Sequence, residues 1–406
     1  MNIGSFQYQS PPNRLQNTGP SSAAPGSMQE AQPQEKPAFG WGKLLLGLGL
    51  AGTALAGCVD GPPEVAAAVE DSVDISPTQA VPTDSALMPG IRVGWSGSGV
   101  DAAITPDGRH WIAAGDKGVV VNGEMIPNLD IGWSDSGVGV AITPDGKHWI
   151  AAGDRGVAVD GKLVPGLDVG WSDSYVDADI SDDGQSWIAA GDKGVAIDGR
   201  LIPDLDLGWS GSGVGVDMTP DGQHWIAAGD KGVAVNGRLV DGLDVGWSES
   251  RADAAISDDG QNWIAAGDKG VALNGELVPD LDIGWSDSGV GVDMTPDGQH
   301  WIAAGNNGVA VDGKLIEGLD VGWSGSRANA AISDDGQSWI AAGDKGVAVN
   351  GQLIPGLDIG WSDSGVGVDM SADGKQWIAA GDKGVVVNQN VSSELDVSKS
   401  ESRLQL

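Results

Sequence analysis

The four histidines are the side chains in this sequence best suited to proton transfer or metal binding near neutral pH. They recur at one phase of a repeated segment, at His110, His148, His224 and His300. A metal site or a catalytic base needs several such groups within a few ångströms of one another. Because each histidine belongs to a different copy of the repeat, we expect four separate, half-exposed side chains at strand starts.

Acidic side chains are the second candidate for chemistry, because 57 Asp and Glu outnumber 22 Lys and Arg. Five of them occupy a recurrent WSDSG-type loop and are the predicted partner-binding face: Asp135, Asp173, Glu249, Asp287 and Asp363. A second series lies beside them in a recurrent GDKG turn: Asp116, Asp154, Asp192, Asp230, Asp268, Asp344 and Asp382. Such a face can bind a cation or a basic partner. The alternative, which we favour, is a solvated acidic surface.

The remaining composition excludes several classes of function. A single cysteine, Cys58, rules out a disulfide framework and a cysteine-based zinc site. The net charge of −35 argues against nucleic-acid binding, which needs clustered Lys and Arg. The sequence offers no Ser–His–Asp arrangement and no phosphate-binding loop. We therefore expect a protein without enzymatic activity, cofactor or metal centre.

The segment before the repeats has the layout of an export signal. Residues 1–43 are rich in Pro, Gln and Ser and predict a disordered leader. Residues 44–58 form an apolar run that ends in Cys58 and is shorter than the roughly 20 residues of a spanning helix. A start at Met28 instead of Met1 would leave a leader of conventional length.

Leu55-Ala56-Gly57-Cys58 resembles the lipobox of bacterial lipoproteins, in which the chain is cut before the cysteine and the thiol is lipidated. The resemblance implies that Cys58 anchors the protein to a membrane of the bacterial cell envelope. The alternatives are an uncleaved signal anchor and a buried apolar helix. Residues 59–84 predict a flexible linker between this anchor and the next domain.

Tandem repeats make up residues 85–390, and residues 391–406 predict a disordered tail. Two tryptophan series recur at a spacing of 38 residues. The first series is Trp95, Trp133, Trp171, Trp209, Trp247, Trp285, Trp323 and Trp361. The second is Trp111, Trp149, Trp187, Trp225, Trp263, Trp301, Trp339 and Trp377. A longer period of 76 residues is superimposed, because several alternate copies share ISDDGQ or MTPDGQHW.

Each repeat predicts four short β-strands. In the copy from 167 to 204, strands at 176–180, 187–190 and 195–197 are separated by SDDG and GDKG turns. Asp198-Gly199 predicts a hairpin into an extended outer strand over 201–209, which Pro203 places at the sheet edge. Four-stranded units at a period near 40 are typical of a β-propeller. The order of strands and turns resembles WD-type and related bacterial propeller repeats, and SDDGQSW resembles the Asp-box hairpin. The predicted fold is all-β, with eight blades.

The ends of the repeat array predict a closed ring. Residues 87–95 match the outer-strand segment 353–361, whereas the last copy stops after its third strand at 385–387. We therefore expect residues 85–95 to complete the blade of residues 366–388; an open β-solenoid is the alternative. In the closed ring four carboxylates on innermost strands would face the central channel: Asp179, Asp217, Asp293 and Asp369.

Both tryptophan series are expected to fill the core between thin blades of Val, Ala, Gly and Ile. The alternative is a set of aromatic platforms for sugars, and it is stronger for the first series, which abuts the WSDSG loop. The sequence thus predicts an exported, lipid-anchored, monomeric propeller that binds or scaffolds protein partners. A carbohydrate-binding propeller and a structural lipoprotein of envelope assembly are the alternatives.

Overall fold

The computed structural model describes residues 87–388, apart from 96, 133–135, 172–173, 210, 248–249, 282, 285–288, 323–325 and 361–363. In these residues the chain forms eight antiparallel sheets arranged as the blades of a propeller. The predicted all-β, eight-bladed fold is confirmed. No helix long and apolar enough to span a membrane occurs in this part of the chain.

The innermost strand of each blade borders a central channel, and the second strand lies beside it. The innermost strands are β1 (Asp101–Ile104), β5 (Gly139–Ile142), β9 (Asp177–Ile180), β13 (Gly215–Met218), β17 (Asp253–Ile256), β21 (Gly291–Met294), β25 (Asn329–Ile332) and β29 (Gly367–Met370). The second strands are β2 (Trp111–Gly115), β6 (Trp149–Gly153), β10 (Trp187–Gly191), β14 (Trp225–Gly229), β18 (Trp263–Gly267), β22 (Trp301–Gly305), β26 (Trp339–Gly343) and β30 (Trp377–Gly381).

The third and outer strands complete each blade. The third strands are β3 (Gly118–Val121), β7 (Gly156–Val159), β11 (Gly194–Ile197), β15 (Gly232–Val235), β19 (Gly270–Leu273), β23 (Gly308–Val311), β27 (Gly346–Val349) and β31 (Gly384–Asn388). The outer strands are β4 (Glu124–Met125), β8 (Lys162–Leu163), β12 (Arg200–Leu201), β16 (Arg238–Leu239), β20 (Glu276–Leu277), β24 (Lys314–Leu315) and β28 (Gln352–Leu353).

The core lies between neighbouring blades and depends on the second strand. Its WIAAG sequence is buried on both faces, because it is covered by the blade before and the blade after. Small alanines let the sheets approach closely, and the Trp111 series fills the wider space towards the rim. All eight side chains of this series are at most 9% exposed, from Trp377 at 1% to Trp187 and Trp263 at 9%. The prediction of a core position for this series is therefore confirmed.

The outer strand is shorter than predicted. In the third blade β12 contains only two residues, whereas the sequence predicted an extended strand over 201–209. Pro203 has no N–H to donate, and the backbone turns at Pro203 and Asp204, where φ is +60°. The chain after this turn leaves the sheet edge and crosses to the next blade, where the Lys231 N–H donates to the Leu207 carbonyl.

The ring closes through the N-terminal segment. The eighth blade has three strands of its own, β29, β30 and β31, and the Met88 N–H donates to the Val385 carbonyl at 2.8 Å. In the seventh blade the equivalent outer-strand residue, Ile354, makes the same bond to Val347. Met88, Ile91 and Val93 then pack in one cluster with residues of both the first and the eighth blade. The predicted closure is confirmed, and the open solenoid is excluded.

The two described ends of the chain lie at the outer part of the eighth blade. Leu87 corresponds to Leu353, and Asn388 corresponds to Asn350, which is three residues away from Leu353 in a hairpin. This hairpin lies on the same face as the SDDG-type turns, and we call it the tail face. The opposite face carries the GDKG turns and the loops that contain the first tryptophan series. We call that surface the tryptophan face.

Candidate functional site

The predicted lipidation residue and the predicted partner-binding carboxylates lie outside the described residues. These are Cys58, Asp135, Asp173, Glu249, Asp287 and Asp363. The structure therefore leaves those predictions untested.

The aspartates of the GDKG turns have a structural role on the tryptophan face. The Trp95 N–H donates to Asp116 Oδ1 at 2.8 Å, and the Trp171 N–H donates to Asp192 Oδ1 at 2.7 Å. The same bond joins Trp209 to Asp230 and Trp247 to Asp268. Burial raises the pKa of Asp192, although its hydrogen bond with Trp171 opposes the shift. These four carboxylates position the tryptophan loops.

The described members of the first tryptophan series are exposed, which corrects the prediction that they lie in the core. Trp95, Trp171, Trp209 and Trp247 are the four members that the structure describes, and they are 55–60% exposed. They lie in the loop before the innermost strand. Near the channel the space between neighbouring blades is too narrow for an indole ring. Small buried residues such as Ser98 and Val100 fill that space instead.

A lysine from the GDKG turn stacks on each of these four rings. The Nζ atoms of Lys117, Lys193, Lys231 and Lys269 lie 3.9–4.2 Å from the ring centroids of Trp95, Trp171, Trp209 and Trp247. Three of these lysines are also bound to an aspartate of the segment before the tryptophan, as in the 2.5 Å pair of Lys193 with Asp168. Because the lysine covers one face of the ring, the other face and the edge carry the exposed area.

A cleft with both polar and apolar walls continues from the exposed tryptophan towards the outer strand. In the fifth blade its walls include Trp247, Lys269, Leu277 and Pro279. Leu277 is 50% exposed, and its equivalents Leu201 and Leu239 are 46% and 54% exposed. Each of these blades thus presents an indole, an aliphatic side chain and a fixed ammonium group at the same place. This combination suits a ligand that offers an apolar or aromatic group, because indole and aliphatic surfaces bind by desolvation.

The second notable feature is the central channel, which three large side chains close at the tryptophan face. Tyr175, Arg251 and Arg327 occupy the phase that is glycine in the other five repeats, and we call them the channel plug. The guanidinium carbon of Arg251 lies 3.5 Å from the Tyr175 ring centroid, and that of Arg327 lies 4.1 Å from it. A Cβ at Gly137 would lie 1.8 Å from the Tyr175 ring, and one at Gly99 would lie 2.0 Å from it. Glycine at these positions therefore makes room for the plug.

Sequence reasoning missed the plug, although a signal was present. The replacement of glycine by Tyr, Arg and Arg at one phase of a nearly invariant loop is visible in the sequence. Only the ring brings these three side chains together, since they come from the third, fifth and seventh blades.

A layer of alternating large and small residues lies below the plug. The first, third, fifth and seventh innermost strands begin with Asp101, Asp177, Asp253 and Asn329, and the strands between them begin with glycine. A Cβ on Gly139 would lie 2.5 Å from the Asp177 carboxylate, so adjacent blades cannot both carry a side chain here. This crowding gives a physical reason for the 76-residue period of the sequence.

The next layer contains the four carboxylates that the sequence placed in the channel: Asp179, Asp217, Asp293 and Asp369. They line the cavity, as predicted, and each links two blades. Asp179 Oδ2 accepts the Met218 N–H of the next blade at 2.9 Å, and Asp369 Oδ2 accepts the Ile104 N–H across the ring closure at 2.7 Å. The innermost strands of neighbouring blades belong to separate sheets and form no backbone hydrogen-bond ladder with each other. These carboxylate hydrogen bonds link them instead.

The channel carboxylates have raised pKa values. Burial raises the pKa of Asp293 to about 7 and that of Asp369 to about 8, although backbone hydrogen bonds oppose both shifts. Burial and then the neighbouring Asp179 raise the pKa of Asp217 well above its ordinary value. In the upper layer burial raises the pKa of Asp101 to about 6, despite the attraction of Arg327. The channel therefore changes its charge between weakly acidic and neutral pH.

The histidines lie apart in the ring, as predicted. His148 Nδ1 lies 2.9 Å from Asp160 Oδ2, and His300 Nδ1 lies 2.9 Å from Asp312 Oδ2, each within one blade. No group of three or more His, Cys, Asp or Glu side chains in the described part of the chain is placed to hold a metal ion.

No family model matches the chain, and no curated protein matches it. A solved structure that resembles it is the C-terminal WD40 domain of Sif2, with 14% sequence identity and a TM-score of 0.46 over 75% of this chain and 97% of that chain. So distant a likeness carries no conclusion about function. The propeller fold follows from the topology of the eight sheets themselves.

Proposed function

We propose that this protein is a non-enzymatic β-propeller that binds protein partners through its tryptophan face. The observation that carries the proposal is the repeated group of exposed indole, stacked lysine and exposed aliphatic side chain, as in Trp247, Lys269 and Leu277. Tryptophan is enriched at the energetic centres of protein interfaces, and a contact repeated in several blades adds its affinity through multivalency. The acidic surface around these groups favours partners with basic residues.

We further propose that the protein is exported and held at the bacterial cell envelope by a lipid on Cys58. The lipobox-like Leu55-Ala56-Gly57-Cys58 supports this anchor.

Replacement of Trp95, Trp171, Trp209 and Trp247 together by alanine should weaken partner binding at least about tenfold. The physical reason is loss of exposed indole area, and the fold should persist because these side chains contribute little to the core. The measurement is capture of partners from detergent-solubilised envelopes by the full-length protein, followed by titration of each captured partner. Four exposed glutamines of the tail face provide the matched control, replaced by alanine: Gln185, Gln223, Gln261 and Gln299. Equal binding by the tryptophan variant and the wild type would contradict the proposal.

A carbohydrate-binding propeller is the second candidate, because an indole with an open face is also a platform for a sugar ring. A glycan array and the quenching of tryptophan fluorescence by a bound glycan distinguish the two. Saturable quenching that is lost in the tryptophan variant would favour the glycan. Capture of proteins without any glycan signal would favour the protein partner.

Cys58→Ala should abolish lipid labelling and release the protein from membranes. The lipid that the lipobox implies is carried by the Cys58 thiol, and alanine has no thiol that can be acylated. Fractionation after metabolic labelling with a fatty acid measures both effects, with Cys58→Ser as a second variant. A Cys58→Ala protein that remains wholly in the membrane fraction would show an uncleaved signal anchor instead.

A further inference from the structure

The cleft of the fifth blade contains a carboxylate that is not neutralised within the described part of the chain. Asp280 is exposed and forms one wall of the cleft, together with Trp247 and Leu277. The ammonium group of Lys269, which stacks on the Trp247 ring, is already bound to Asp244. No hydrogen bond or ion pair joins the Asp280 carboxylate to another residue that the structure describes. The cleft thus offers apolar surface and one available negative charge.

The third blade has the same set of side chains. Trp171 is 55% exposed, and Lys193 stacks on its ring with Nζ 4.1 Å from the centroid. Leu201 is 46% exposed, and Asp204 is exposed at the position that corresponds to Asp280. The Lys193 ammonium is bound to Asp168, so no described cation pairs with Asp204. Two blades that are 76 residues apart in sequence therefore repeat one arrangement.

The other two blades with a described indole differ at this phase. The first blade has Asn128, the uncharged counterpart of aspartate, and the fourth blade has Gly242. In the fourth blade the acidic residue is Asp241, which replaces the proline one position earlier. The carboxylate at this exact phase is therefore a feature that distinguishes the third and fifth blades from their neighbours.

The turn itself does not require an aspartate. Asp204 and Asp280 have φ values of +60° and +59°, in the left-handed region that glycine adopts without strain. Five copies carry glycine at this phase, with φ between +72° and +79°: Gly90, Gly166, Gly242, Gly318 and Gly356. Glycine is thus a substitution that the fold already uses, and it removes the carboxylate without disturbing the turn.

We propose that the clefts of the third and fifth blades bind a basic side chain of the partner, an arginine or a lysine that lies next to an apolar residue. The apolar residue packs against the open indole face and the leucine, and the cationic group pairs with Asp204 or Asp280. Charge complementarity favours this occupant, since the chain has a net charge of −35 and the lysine of each cleft is already paired. The inference rests on the proposed function and assigns the selection of the partner's charge to these two aspartates.

The test is the binding of two capped peptides to the full-length protein in detergent at low ionic strength, measured by the fluorescence anisotropy of a neutral dye on each peptide. One peptide has the sequence Gly-Leu-Arg-Leu-Gly, and the other has citrulline, an uncharged analogue of similar size, in place of arginine. The arginine peptide should bind about threefold to fivefold more tightly, and added salt should reduce the difference because exposed ion pairs are screened. Equal affinity of the two peptides, or no saturable binding of the arginine peptide, would overturn the proposal.

Two pairs of substitutions locate the carboxylates. Asp204→Gly with Asp280→Gly should leave the fold intact, and the arginine and citrulline peptides should then bind with equal affinity. The matched control, Asp221→Asn with Asp297→Asn, removes two charges from exposed turns of the tail face and should keep the preference for arginine. An equal loss of preference in the control pair would show that only the net charge matters, which contradicts the proposed site.

A tryptophan variant separates this inference from the proposed function. Trp171→Ala with Trp247→Ala removes the indole of both clefts and should weaken the binding of both peptides. If this variant binds the arginine peptide as tightly as the wild type does, the peptide lies outside the clefts and the inference is wrong. If partner capture depends on the tryptophans but the wild type does not distinguish arginine from citrulline, the proposed function stands and the selection of charge is wrong.

Discussion

Deletion of residues 85–95 should destabilise the whole ring rather than a single blade, with an expected loss of about 5 kcal/mol or more. The segment buries Val93 completely and packs Met88 and Ile91 against both the first and the eighth blade. Removal of a few large apolar side chains costs roughly 1.5–3 kcal/mol each, which approaches the total stability of many domains. It also exposes β31 as an unpaired edge, which promotes association between chains. Chemical unfolding and size-exclusion chromatography measure the two effects.

The control is deletion of residues 1–57, which should change neither stability nor oligomeric state. A crosslinking test is independent of stability. Leu87 and Val386 correspond to Leu353 and Ala348, which are direct partners in the seventh blade. In a Cys58→Ser background, cysteines at these two positions should form a disulfide, because directly opposed residues have the required Cα separation. If neither this pair nor its neighbours in register crosslinks, the N-terminal segment does not close the ring.

The stability of the propeller should fall as the pH rises from about 4 to about 8. The folded-state pKa values of Asp293 and Asp369 are raised to about 7 and about 8, above the ordinary value of 3.8. A group with a raised pKa contributes stability below its unfolded pKa, and that contribution is lost as the pH rises through its folded pKa. We expect a total change of a few kcal/mol over this range. Urea unfolding at a series of pH values measures it.

Asp293→Asn with Asp369→Asn should flatten this pH dependence, because the groups that titrate are absent. The amide oxygen still accepts the N–H of Ile332 or Ile104, whereas the N–H of Met294 or Met370 loses the second carboxylate oxygen as its acceptor at every pH. Asp221→Asn is the control, because the hydrogen bond from Gln223 lowers the pKa of that exposed carboxyl and it does not titrate in this range. A double variant with the wild-type slope would show that other groups cause the pH dependence.

The sequence by itself determined the architecture. A tryptophan every 38 residues, turn residues at constant offsets and a surplus strand at the N-terminus predict eight equivalent sheets in a ring. The fold can be predicted from the hydrogen bonding and burial within one blade, because every blade repeats the same pattern. The buried position of the Trp111 series and the channel position of Asp179 followed from the alternation of side chains along a strand.

The exposure of the tryptophans, the alternation in the channel and the channel plug became clear only from the tertiary structure. All three depend on distances between blades, which the sequence of a single repeat does not contain. The narrow space between loops leaves the described members Trp95, Trp171, Trp209 and Trp247 on the surface, although the small side chains of the blades predicted a core position for them. Crowding around the channel permits a side chain such as Asp177 only beside a glycine such as Gly139. This explains why aspartate or asparagine alternates with glycine at this position in successive repeats. The channel plug needs Tyr175 and Arg327 from blades that are 152 residues apart in sequence. Only ring closure brings them into contact.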